Sequence, residues 1–139
     1  MGLDNGIILR IKDNFNRNLP LDELENYNTN LYELCYWRKC WNVRGIILNI
    51  ISLHKGIDVE DADEYSWNLS FEVLADIIEA LKQEYQEDVW AEAYADGDTI
   101  WEADILEIYH RDLTQLEKWI ELLKNEPADT FDIFFYDSY

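Results

Sequence analysis

The sequence predicts a single α+β domain over residues 1–139: three main helices around a long apolar one, and a small antiparallel sheet made by the two chain ends. Three observations carry this. The stretch from Asn30 to Lys55 holds apolar residues at helical spacing over more than half of a helical wheel, with no proline. Two further stretches, 71–87 and 100–124, repeat apolar residues at i+3 and i+4. Residues 6–12 and 130–138 alternate instead, which is the period of a strand with one buried face.

At the start, Asp4-Asn5-Gly6 is turn chemistry, because Asn and Gly tolerate positive φ. Ile7, Leu9 and Ile11 then alternate with Ile8, Arg10 and Lys12. Residues 14–29 contain Pro20 and many Asn and read as a connector with a short helical turn at 21–25. The central helix follows over 30–55. Asn30 and Glu33 are spaced as a capping box, and Gly56 stands where a left-handed C-cap suits a residue without Cβ. A rod of this length would reach roughly 39 Å at about 1.5 Å per residue.

Residues 56–68 form an acidic loop. Asp58, Asp61 and Asp63 fail the spacing of a calcium-binding loop, which needs a glycine at its sixth position, and Glu72 is the only candidate for its twelfth, so no metal site is assigned. Ser70 is placed to cap the second helix, with Phe71, Leu74, Ile78, Leu81 and Tyr85 on one face. Residues 89–101 read either as a hairpin turning at Asp96-Gly97 or as a helical tail. Thr99 and Glu102 make a second capping box ahead of the third helix, for which a break near Arg111-Asp112 is considered. Pro127 ends that helix, and the last strand follows.

Charge is unevenly placed. Residues 1–56 hold seven Lys or Arg against six Asp or Glu, a balance of +1; residues 57–139 hold four against twenty-four, a balance of −20. Direct nucleic-acid binding is disfavoured, because it depends on basic residues that displace counterions from phosphates. A protein partner with a basic surface fits, and Asp58, Glu60, Asp61, Asp63 and Glu64 are the candidate interaction surface. No segment is apolar enough to span a bilayer. The lack of a signal-like N-terminus and the two cysteines, read as buried thiols, suit a reducing cytoplasm.

Chemistry-bearing motifs are few. Neither His54 nor His110 has a metal-ligand spacing, and no nucleophile elbow, P-loop or dinucleotide fingerprint occurs, so no catalytic residue and no cofactor is assigned. On the predicted central helix, Arg38, Asn42, Gly45, Asn49 and Ser52 form one polar stripe, read as a solvent strip or as the lining of an anion-binding cleft. Arg44 lies away from it among Trp37, Cys40, Leu48 and Ile51. A buried guanidinium there calls for a carboxylate or an aromatic face such as Trp37 or Trp41; a structural ion pair with an acid of the second or third helix is preferred to a catalytic role.

Four segments carry a resemblance: MGLDNG at the start, CYWRKCWNVR in the predicted central helix, DGDTIWE in the middle and FYDSY at the end. Together they resemble a family of small uncharacterised proteins of bacteria and their phages. The resemblance implies an accessory cytoplasmic protein carried on a mobile element, and it marks Asp4, Asn5, Gly6, Arg38, Asn42, Arg44, Trp101, Tyr136 and Asp137. The function expected first is an acidic protein that docks on, and inhibits, a basic host protein of nucleic-acid handling or defence. The alternative is a site for an anionic metabolite or nucleotide, built from Arg38, Asn42, Asn49, Asp4, Asn5, Tyr136 and Asp137.

Overall fold

Four of the five strands of the sheet come from the first 38 residues and the last nine, so both chain ends lie in one layer. The structure is a computed structural model and describes residues 4–28, 30–38, 41–56, 66–86 and 102–138. Within them, β1 (Asp4–Ile11), β2 (Glu25–Asn28), β3 (Leu31–Arg38), β4 (Ser66–Asn68) and β5 (Phe131–Ser138) form an antiparallel sheet in the order β2-β3-β1-β5-β4. The helices are α1 (Trp41–Lys55), α2 (Phe71–Gln86) and α3 (Glu102–Leu123), with short 3₁₀ turns at Leu21–Glu23 and Ala128–Thr130.

The largest correction to the sequence reading concerns residues 31–38. They are not the first turns of a helix but a strand, and the helix starts at Trp41. The local cause is visible at Asn28, whose side-chain oxygen accepts from the backbone N–H of both Asn30 and Leu31, turning the chain into a hairpin. Tyr32, Cys35, Tyr36 and Trp37 then suit a pleated ribbon better than a crowded helical turn. The nonlocal cause is β1, which takes β3 on one edge and β5 on the other. The centre of the described structure is therefore a strand rather than a helix: Ile7, Leu9 and Ile11 are buried, and α1 is one of the three described helices in the core.

Strand β3 carries a bulge. Ile7 pairs with Cys35 and Ile8 with Glu33, so Leu34 is the extra residue. The Gln115 side chain of α3 donates to the Leu34 carbonyl at 2.7 Å, which satisfies a backbone group at the irregularity. The extra residue also restores the alternation, so that Tyr32, Cys35 and Trp37 all join the core.

α1 packs on α2, α2 on α3, and α3 across β3. Helix α2 is capped by Ser70, whose hydroxyl accepts from the Val73 N–H at 3.2 Å. Gly56 has φ of +66°, and its N–H bonds to the Ser52 carbonyl, closing α1 with a left-handed residue. Helix α3 runs unbroken past Arg111-Asp112. Residues 66–68, read from sequence as part of the acidic loop, add an edge strand to β5, and Trp67 stacks on Phe135 at 6.3 Å. The alternatives for 89–101 and the second capping box at Thr99 lie outside the described residues. Among those that are described, no helix is long and apolar enough to cross a membrane.

Candidate functional site

Alternation along β1 sorts the sheet into two unlike faces. Asn5, Ile7, Leu9 and Ile11 share one face with Trp37, Cys35, Phe135 and Asp137, and the helices cover it. Gly6, Ile8 and Arg10 share the other with Tyr36, Glu33, Tyr136, Phe134 and Asp132.

On the covered face, at the end of the sheet beside α1, three predicted site residues meet. Asp137 is 2% exposed and accepts from the Asn5 side-chain amide at 2.6 Å. Arg44 Nε lies 2.8 and 2.9 Å from its two oxygens. Arg44 thus has its carboxylate, but from the last strand rather than from α2 or α3. The position is dictated by register: Asn5 pairs with Asp137 across β1–β5, and Arg44 reaches down from the second turn of α1. With the guanidinium matched by a buried carboxylate, this cluster ties both chain ends to a helix and offers little attraction to an anion. Asn5 also pairs with Trp37; its Oδ1 and the Trp37 Nε1 are both buried without a hydrogen-bond partner.

The open face is built differently. At its centre Ile8 is 2% exposed although it stands apart from the core cluster. Gly6 pairs with Tyr136, and the tyrosine ring lies down over it: a Cβ on Gly6 would stand 2.5 Å from Cε1 of Tyr136. Tyr136 of β5 is also near enough to Tyr27 of β2 to act on its phenol. Strands β2 and β5 are three positions apart in the sheet, about 14 Å at ordinary spacing. The Tyr27 hydroxyl is also bonded to Glu33. Burial, with Tyr136 and Glu33 close by, holds the Tyr27 phenol well above the usual tyrosine range. Burial likewise raises the Glu33 carboxyl; the Tyr27 hydrogen bond works against this and the charge of Glu25 adds to it.

This face is still accessible, with Tyr27 49% and Tyr36 38% exposed. Farther along it, Arg10 lies over the Phe134 ring at 5.6 Å and 3.1 Å from Asp132. The arrangement is a surface of tyrosines and carboxylates, suited to cations and to the apolar stems that carry them.

The described members of the predicted ligand set lie on both faces of the sheet and on α1. Asn5 and Asp137 are under the helices, while Tyr136 lies on the opposite face. Asn49 is exposed on α1, as is Gly45, in keeping with a solvent strip. Backbone pairing puts Asp4 opposite both Arg38 and Ser138, and Asn42 begins α1; the side chains of Asp4, Arg38 and Asn42 are outside the described residues. So are the proposed acidic surface, Asp58, Glu60, Asp61, Asp63 and Glu64, and Trp101. No group of His, Cys, Asp and Glu able to hold a metal occurs among the described residues. Tyr27, Glu33 and Tyr36 were not picked out from sequence. Reading 31–38 as a regular strand would have put Glu33 and Tyr36 on opposite sides of it; only the bulge at Leu34 brings them to one face. No family model, curated protein or solved structure matches the chain.

Proposed function

We propose that the protein is a binding protein without catalytic activity that docks the open face of its sheet on a basic protein surface. The observation that carries this is the pairing of exposed tyrosines with carboxylates, Tyr27 and Tyr36 beside Glu25 and Glu33, on the side away from the helices. Aromatic rings contribute contact area at low entropic cost, and carboxylates select a cationic partner. The −20 balance of residues 57–139 adds attraction at longer range, which speeds encounter with a positively charged surface. Together with the resemblance to bacterial and phage proteins, this supports a host partner of the nucleic-acid-handling or defence class. The carboxylates would stand where that partner normally holds phosphates, and so inhibit it.

Capture from host lysate at ~0.05 M and ~0.5 M salt tests the reading, since exposed charges are screened over about 8 Å at physiological ionic strength. Retention of a basic protein at low salt, and its release at high salt, is expected. A protein that retains nothing basic at low salt, or holds its partner equally well at both, does not work this way.

A further inference from the structure

Glu25 of β2 and Glu33 of β3 pair directly across the ladder. Like charges at directly opposed positions weaken strand pairing, and here they do so at an edge of the sheet, where β2 has no second neighbour among the described residues. The arrangement is favourable once a cation sits between the two carboxylates. The aromatic side chains around it are of matching kind. Glu33 acts on the Tyr27 phenol through a side-chain hydrogen bond, and Tyr36 follows Glu33 on the same face of β3 and is 38% exposed. The sheet also shows how it holds a cation on this face. Arg10 is stacked over Phe134 and paired with Asp132, its carboxylate opposite in the register.

We infer that Glu25, Glu33, Tyr27 and Tyr36 form a subsite for one arginine side chain of the basic partner, a claim that rests on the docking surface proposed above. The guanidinium is planar and presents five N–H donors in a fork, so it can bond both carboxylates from one position and lay its face on a tyrosine ring. An ammonium group is a point charge with a strongly held hydration shell. It can neutralise the pair but gains little from the rings. The subsite therefore prefers arginine to lysine at equal charge.

Titration of the full chain with hexa-arginine and with hexa-lysine, at ~0.05 M salt and followed by calorimetry, separates these cases. Hexa-arginine is expected to bind about tenfold more tightly, the order of gain that a bidentate and stacked contact supplies. In the double variant Glu25→Gln/Glu33→Gln the preference should fall to about one, with hexa-lysine binding reduced only through net charge. That variant keeps the shape of both side chains and removes a repulsion, and its fold can be confirmed by circular dichroism. Equal affinity for the two peptides in the unmodified protein overturns the arginine subsite and leaves the basic-partner reading standing. An arginine preference that survives in the double variant overturns its location. Binding of neither peptide sinks both ideas together.

Discussion

Asp137 and Glu33 are carboxylates on the two strands that reach toward β1 from either side, yet they face opposite ways and live under opposite rules. Asp137 is buried under the helices and bonded to Arg44 and Asn5. Glu33 is half-buried on the open face, bonded to a tyrosine and set opposite another glutamate. A carboxylate whose cation is supplied by the fold serves the fold. One set, among the described residues, directly opposite another carboxylate is suited to a cation from outside, and that difference separates the structural end of this molecule from its proposed binding face.

The largest expected effect tests the structural half. Arg44→Met keeps the length and apolar stem but leaves Asp137 buried beside an uncharged side chain, at a cost of about 3–5 kcal/mol. Chemical denaturation reads this directly, and Arg44→Met/Asp137→Asn should recover much of the loss. A change within about 0.5 kcal/mol would show that the pair behaves as a surface contact and that the two carboxylates are not so different.

Gly6→Ala probes the join between the faces. Its Cβ would meet Cε1 of Tyr136 at 2.5 Å and the Cys35 carbonyl at 3.0 Å, so a loss of about 1–3 kcal/mol is expected. Because the ring is the closer obstacle, the cost of Gly6→Ala should shrink when measured in a Tyr136→Ala background. An unchanged cost would mean that the ring does not lie over the glycine, and the link between Tyr136 and Tyr27 would go with it.

The smallest effect is the one that sharpens the contrast most. Burial raises the Glu33 carboxyl above its ordinary 4.5, so the folded state holds that proton more tightly than the unfolded state. Stability is then lost as pH rises from about 4.5 through the raised folded value, and below that window the group contributes nothing. Glu33→Gln should therefore match the unmodified protein at pH ~4 and exceed it at pH ~7, by no more than about 1 kcal/mol for a half-exposed group. If Glu33→Gln instead destabilises at neutral pH, the fold already supplies Glu33 with a cation, and the face has no vacancy of the kind inferred.

Much of the architecture was legible in the chain. Helices α2 and α3 repeat their apolar residues over several turns, and Ser70 marks the start of α2 and Gly56 the end of α1 by local chemistry alone. The need of Arg44 for a carboxylate followed from its apolar neighbours. Its partner did not, because thirty acids are candidates and only the β1–β5 register selects Asp137. The binding face was the least legible part. Glu33 was read as half of a capping box, Tyr36 as an apolar position of a long helix and Tyr27 as part of a connector.

What the sequence determined by itself is whatever a few neighbouring residues decide: the alternating strands at both ends, the amphipathic α2 and α3, the caps at Ser70 and Gly56, and a charge gathered in residues 57–139. What only the tertiary structure decided is the state of residues 31–38 and the side of the sheet on which each polar group lies. Those eight residues satisfy a helical pattern and a strand pattern about equally, so the open edge of β1 settled the matter by offering a ladder of hydrogen bonds. Once they are a strand, a shift of one residue moves a side chain from one face to the other. A single bulge at Leu34 is then enough to put Trp37 and Tyr32 in the core while Glu33 and Tyr36 face outward.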